Sequence, residues 1–341
     1  MSKVSLYDSN PIDIEFLENV TKDSFSDACL DNLFCVFKSI NNIYYIVYTN
    51  KNRAIIALNL VNNMKINEIK NAHEETIRNF RYYLDKINKR DLIISISCKD
   101  NNIKLWNINN MECLLNIKSI NKEGSLFSAC FLYDNKNNEY YIVSSNCNFN
   151  GESERIKIFD FKGNIIKEIN DSNDKIFFID SYYDSKLSKH YIITGNQGYV
   201  KSFDYNENKI YFQYSDNNDK RAHDSIIINE NKGKINIIES SLNGNIRIWD
   251  FHNKELLRRI KITKRELYGI CLWNKDYLFV GCDDNSIKLI DLNERKIIKE
   301  FYNHINEVIT IKKLIHPKYG ECLISQGFDD QIKLWVNKNK I

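Results

Sequence analysis

Seven short segments of one pattern recur along the 341 residues, and their spacing constrains the fold more than any other feature. They are Arg53–Asn59, Asn102–Asn107, Arg155–Asp160, Tyr199–Asp204, Asn245–Asp250, Ser286–Asp291 and Gln331–Val336. Each contains a large apolar residue near its end, at positions 58, 106, 159, 203, 249, 290 and 335, so successive anchors lie 41 to 53 residues apart. Repeats of that period are supersecondary units that bury a face only by stacking on their neighbours. Within the segments Lys or Arg alternates with Ile, Val or Leu. A period of two with one wet face is the signature of a half-buried β-strand.

More strand-like runs flank each anchor. In the second unit Thr76 to Tyr83 and Leu92 to Ser97 precede it, and Glu112 to Ile117 follows. In the seventh, Val308 to Leu314 and Cys322 to Ser325 precede Ile332 to Val336. Runs of Asn, Asp and Lys at 134–139, 216–220 and 229–234 read as turns, because Asn and Asp side chains bond their own backbone and tolerate the left-handed conformation. Four short strands, seven times over, predict an all-β fold: a seven-bladed β-propeller of four-stranded antiparallel blades, one domain spanning 1–341. Only six residues follow Trp335, too few for a turn and an outer strand. The last blade therefore needs a strand from elsewhere, and Ile12 to Leu17 supplies it, an N-terminal strand that pairs the open edge. The first blade proper begins near Cys29. Val4 to Tyr7 is also strand-like and has no assigned place.

Composition excludes more than it assigns. With 43% hydrophobic and 27% charged residues the chain is neither disordered nor fibrous. The 48 Lys and Arg against 45 Asp and Glu leave a charge of +3, no argument in itself for nucleic acid or membrane. The first residues lack a basic-then-apolar leader, and no apolar run is long enough to span a bilayer, so membrane insertion is not expected. The 9 cysteines are scattered without a C-x-x-C, so neither a zinc knuckle nor a redox dithiol is spelled out. They read as buried reduced thiols of a cytoplasmic or nuclear protein, and no metal or cofactor is implied.

The anchors resemble those of the Trp-Asp (WD) repeat family over nearly the whole chain. The dipeptide itself survives once, as Trp249-Asp250; Trp106-Asn107 and Trp335-Val336 are near matches, and Phe159-Asp160, Phe203-Asp204 and Ile290-Asp291 replace the Trp. The family's Gly-His appears as Ala72-His73, Ala222-His223 and Asn303-His304. The resemblance implies buried His–Ser/Thr–Asp–Trp hydrogen-bond chains. Blade seven matches with His304, Ser325, Asp329 and Trp335, and blade two with His73, Asp100, Trp106 and either Ser95 or Ser97. Blade five keeps His223 and Trp249 with Asn243 in place of Asp; blade six keeps Asp284 without the His. His, Ser and Asp also make a hydrolase triad. Here the set recurs, an indole closes it, and no G-x-S-x-G elbow accompanies it, so the reading is structural and no catalytic residue is assigned.

The resemblance also implies that the turns between second and third strands crowd one rim of the central channel, together with the connections between blades. The residues that would point there are Lys51, Lys99, Glu152, Asn196, Leu242, Asp283 and Phe328. Leu242 and Phe328 are apolar in exposed turns, but blade six with Asp283 separates them, so a shared patch does not follow; solvated turn residues are the alternative reading. Blade three is the longest, and its excess, Asn146 to Glu154, carries Phe149 as a recognition candidate or a tolerated insertion. Lys261 to Arg265 and Lys220-Arg221 suit an acidic peptide or phosphate, or merely solvate their loops. The expected function is a non-catalytic scaffold or adaptor, a monomeric propeller within a hetero-complex that binds peptide or protein partners through rim loops. An RNA-associated subunit is the alternative, which the charge balance does not favour. No cluster of carboxylates or metal ligands argues for an enzyme. Two subtype motifs are not met: Leu257-Arg258-Arg259-Ile260 stands where phosphoinositide binders have Phe-Arg-Arg-Gly, and His252 where cullin-ligase receptors have Arg.

Overall fold

The computed structural model describes residues 12–24, 33–97, 100, 102–118, 124–148, 155–170, 176–196, 198–217, 219, 226–231 and 233–338. The seven anchor segments supply the third strands of seven four-stranded antiparallel sheets. Strands are lettered a to d within each blade. Blade one is Phe34–Lys38, Tyr44–Thr49, Ile55–Asn59 and Met64–Ile69; blade two is Ile77–Asp85, Arg90–Ser97, Asn102–Asn107 and Glu112–Lys118. Blade three is Gly124–Asp134, Glu139–Asn148, Arg155–Phe159 and Ile165–Asn170; blade four is Ile176–Asp184, Lys189–Asn196, Tyr199–Asp204 and Lys209–Ser215. Blade five is Ile226–Asn231, Lys234–Ser240, Asn245–Asp250 and Glu255–Lys261; blade six is Leu267–Leu272, Tyr277–Cys282, Ser286–Asp291 and Lys296–Tyr302. Blade seven takes Val308–His316, Gly320–Gly327 and Ile332–Asn337 from the C-terminus, and its outer strand is Ile14–Thr21.

That last strand closes the ring, as expected from the sequence. It pairs antiparallel with Ile332–Asn337, Phe16 opposite Trp335, and two bulges carry it past Leu17 to Thr21. Val4 to Tyr7 and Cys29 lie outside the described residues.

The core is divided into interfaces. Seven apolar clusters sit one between each pair of neighbouring blades, from Phe34, Ile46, Ile324 and Leu334 between blades seven and one to Phe279, Ile287, Leu323 and Trp335 between six and seven. The last of these includes Ile12 and Ile14, and the first includes Val20, so the closing strand is packed on both its sides.

The third strands differ from the expected half-buried pattern. Ser286–Asp291 and Asn245–Asp250 are buried at every position, and Lys201, Arg247, Lys288 and Lys333 are buried with them. Strand c lies between b and d, and both its faces are covered by adjoining blades. Its alternation separates two buried faces, one apolar and one polar, and the polar face must find hydrogen bonds inside the protein.

Asn and Asp do replace Gly in turns. Asn42, Asn63, Asn71, Asn138, Asn208, Asn285 and Asp330 all have positive φ, though Lys89, Met111 and Lys254 adopt it too. Where Gly is kept, close approach can demand it. A Cβ on Gly281 would lie 2.2 Å from the Val308 carbonyl oxygen, where blade six meets strand a of blade seven. Gly281→Ala should therefore destabilise the ring by about 3 kcal/mol, the upper end for overpacking, read as a lower urea midpoint; an unchanged midpoint would contradict this packing.

Candidate functional site

Blades two and seven each carry a closed chain of four side chains. In blade seven the Trp335 indole N–H donates to Ser325 Oγ at 2.8 Å, His304 Nε2 lies 2.7 Å from the same oxygen, and His304 Nδ1 lies 2.9 Å from Asp329 Oδ2. In blade two Trp106 donates to Ser95 Oγ at 2.8 Å, and His73 spans Ser95 and Asp100 at 2.8 and 3.3 Å. Ser95, not Ser97, takes the hydroxyl place. A proton on Nδ1 satisfies the carboxylate and leaves Nε2 to accept the serine hydroxyl. Each Asp also receives a backbone N–H just beyond the His, from Glu74 at 3.0 Å and Ile305 at 3.2 Å. The third-strand lysines complete both chains. Lys104 Nζ donates to Ala72 O and Lys333 Nζ to Asn303 O, each at 2.6 Å, fixing the residue before the His.

A serine already accepting an indole proton, with its His and Asp buried against it, presents no free nucleophile. The electrostatics fit a structural part. Burial holds His73 and His304 below the ordinary histidine value of 6.5, although their Asp partners pull the other way. Burial would raise Asp100 and Asp329, but the histidine hydrogen bonds and charge, joined by the backbone amides of Asn102 and Ile305, together outweigh it and hold both below 3.8. Burial also lowers His190 and His316. All four histidines are easier to protonate unfolded than folded, so their stabilising effect is complete above 6.5 and declines as pH falls below it. The two Asp residues add a further loss as pH falls from 3.8 through their lower folded values. The urea midpoint at about pH 5.5 is expected to lie below that at about pH 7.5, measured by tryptophan fluorescence; a flat profile would contradict the sign.

Blade five is built differently from the expected His223 and Trp249 pair. His223 lies outside the described residues, and the Trp249 indole donates to Glu239 Oε1 at 2.6 Å. Glu239 sits opposite Arg247 in the register that pairs Ser95 with Lys104 and Ser325 with Lys333. It thus replaces the serine, and Arg247 replaces the lysine. Arg247 Nη2 donates to Glu239 Oε2 at 3.0 Å and Nη1 to Asp219 O at 2.6 Å. Asn243, expected in the Asp place, instead donates to the Asp219 carboxylate at 2.7 Å, as does Asn245. In blade six Asp284 accepts from the Ser286 hydroxyl at 2.5 Å and from Lys288 at 2.8 Å.

Sequence reasoning missed Glu239, Arg247, Asp219 and the lysines. A signal was available: a basic residue stands two positions before the anchor in six of the seven segments, at 104, 157, 201, 247, 288 and 333.

The rim residues do not behave as one set. Lys51 is bound across the blade boundary to Asp330 at 3.0 Å. Asn196 is fully buried, where its Oδ1 accepts from Thr194 at 2.6 Å, so it does not face the rim. Lys99, Glu152 and Phe149 lie outside the described residues, as do Lys220 and Arg221. Lys261 is turned back onto the Asn243 carbonyl.

Leu242 and Phe328 border one apolar cluster. Both pack on Tyr268, Ile309 and Leu33 in one cluster apart from the seven interfaces. Blade six does not isolate them from a shared cluster, because its first strand contributes Tyr268 to it. Polar residues of both signs surround the cluster. Tyr268 donates to Glu266 at 3.2 Å, Asp283 faces Arg265 at 3.9 Å, and the Phe328 amide donates to Glu307 O at 2.9 Å.

No family model matches the chain. Over 99 residues, 29% of the chain and 11% of the relative, it is 26% identical to a Schizosaccharomyces pombe protein named U3 small nucleolar RNA-associated protein 21 homolog. Over 94 residues, 27% of the chain and 10% of the relative, it is 31% identical to human WD repeat-containing protein 36. The matched parts span about a tenth of the length of these curated relatives. Likeness to a protein named for WD repeats, together with the seven-bladed ring, points to the WD-repeat family. Among the described residues no group of three or more His, Cys, Asp or Glu is arranged to hold a metal, and no helix is long and apolar enough to cross a membrane.

Proposed function

We propose that the chain is a divergent WD-repeat propeller, a single domain over 1–341, and that it works as a non-catalytic adaptor in the cytoplasm or nucleus. Its ligand is a protein segment that seats an apolar side chain on Leu242, Tyr268 and Phe328. One observation carries this reading: residues from blades five, six and seven converge into an apolar centre with Arg265, Glu266, Asp283 and Glu307 around it. An apolar anchor site inside a polar rim is the anatomy of a protein-binding hot spot. A rim of both signs suits a peptide better than a polyphosphate. An RNA-associated assembly is the second reading, supported by the name of the S. pombe relative.

The double substitution Leu242→Ser with Phe328→Ser should weaken partner capture from extracts of the source organism at least tenfold, while the urea midpoint stays near that of the parent. Asp283→Lys, on the rim alone, should weaken capture to a smaller degree. Undiminished capture by both variants would remove as the binding site this end of the ring, the channel mouth where the b–c turns carry Leu242 and Phe328.

A further inference from the structure

Strands a and b join at the end of the ring opposite to the channel mouth, so the a–b turns stand side by side on one face. Their aspartates point inward. Asp85, Asp134 and Asp184 are buried and accept turn amides from Asn88, Lys136 and Lys186 at 3.1, 2.9 and 2.9 Å. Lysines are left outside: Lys86 and Lys89 in blade two, Lys136 in three, Lys186 in four, Lys275 in six and Lys318 in seven. Among the described residues none of these six forms an ion pair; Lys186 and Lys318 donate to neutral oxygens of Gly233 and Tyr319. Glu139 and Glu321 are exposed acids beside these turns, and the turns between third and fourth strands at the same end add Glu207 and Glu294, which pair with Lys189, Lys209 and Lys296. Other cations at this same end are paired, Arg90 with Asp85, Lys189 with Asp204 and Lys296 with Glu294, which sets these six lysines apart from their neighbours.

Bare aliphatics stand among the lysines. Ile87 and Leu187, at the turn tips of blades two and four, are 63% and 53% exposed, and Ile315, at the end of strand a in blade seven, is 65% exposed. Blades two, four and seven are spread around the ring, so these points define a plane across it. Beside Ile315 an apolar crevice of about 330 Å³ opens between Val36, Tyr44, Leu60 and Leu314.

A polyphosphate chain would satisfy the lysines and leave the aliphatics in water. Single-stranded nucleic acid would also need aromatic platforms, and Tyr183 is exposed over only 37% of its surface. A flat layer of anionic headgroups over hydrocarbon satisfies both features. We propose that this face docks reversibly on an anionic lipid bilayer, with lysines at headgroup level and Ile87, Leu187 and Ile315 dipping beneath. The ring then lies on the membrane and keeps its channel mouth free.

The test is co-sedimentation of the full chain with vesicles of phosphatidylcholine alone or with about 30% phosphatidylserine. Binding is expected to the anionic vesicles only, and to fall as salt is raised from about 0.1 to about 0.5 M. Lys86→Gln, Lys136→Gln and Lys186→Gln together should weaken it on the order of a hundredfold, since each lysine near such a surface contributes about fivefold. Ile87→Ser with Leu187→Ser, at unchanged charge, should weaken it roughly tenfold or more. These turn residues are exposed, and an unaltered urea midpoint shows that the ring is intact. Failure to bind anionic vesicles overturns the proposal. So does binding indifferent to Ile87→Ser with Leu187→Ser while homopolymeric RNA binds equally well, which would make the face a general polyanion reader.

Discussion

Glu239→Ala is expected to be among the most damaging single substitutions in the chain, lowering the unfolding free energy by about 3–5 kcal/mol. Glu239 and Arg247 are both buried, and the glutamate is the charged partner facing the guanidinium in blade five. Truncation strands a cation with only the Asp219 carbonyl as acceptor and removes the acceptor of the Trp249 indole. Each loss leaves a buried donor without its bond, which costs more than the bond itself contributes. Burial raises the Glu239 carboxyl above 4.5 against the pull of Arg247, so the pair is held by geometry and not by a large net electrostatic gain. The rescue is specific. Glu239→Ser with Arg247→Lys installs the residue pair that blades two and seven use, Ser95 with Lys104 and Ser325 with Lys333. It should recover well over half of the loss in urea unfolding followed by fluorescence. A cost below about 1 kcal/mol for Glu239→Ala would show that the pair is not buried as described.

Deletion of residues 1–21 should abolish cooperative unfolding altogether. It removes the outer strand of blade seven and leaves Ile332–Asn337 as an open edge. It also takes Ile12 and Ile14 from the cluster between blades six and seven and Val20 from that between seven and one. At about 2 kcal/mol for each buried aliphatic, some 6 kcal/mol is forfeited. The Phe16–Trp335 edge contact, with centroids 5.9 Å apart, goes with it. Losses of that size are comparable to the whole stability of a typical domain. The shortened chain should aggregate or show a broad, shallow melt, and a synthetic peptide of residues 10–23 should restore a single transition. A shortened chain that melts like the parent would remove the closing strand from the fold's support.

The ring was legible because its signal is repetitive. An anchor every 41 to 53 residues and a missing last strand specify seven closed blades whatever the individual substitutions. The closing strand was placed correctly for the same reason, though bulges shifted its span to Ile14–Thr21. The inside of the blades was less legible. Lysine at alternate positions reads as solvent-facing, and only the stacking of blade on blade shows that both faces of strand c are covered. Glu239 was invisible because a motif built on Ser gives no reason to look for a longer acceptor in the same place. The channel mouth was half legible. Leu242 and Phe328 stood out as apolar turn residues, but Tyr268, which shares their cluster, lies inside an ordinary apolar strand, and only the third dimension brings it there.

The channel mouth is most directly tested by photo-crosslinking. Benzoylphenylalanine placed at position 328, and separately at position 315 on the opposite face, would be irradiated in extracts of the source organism. The expected result is one discrete protein adduct from position 328 that disappears when Leu242→Ser is added, and no such adduct from position 315. Protein adducts from position 315 alone, or RNA as the product at position 328, would contradict the reading of Leu242, Tyr268 and Phe328 as a protein-binding site.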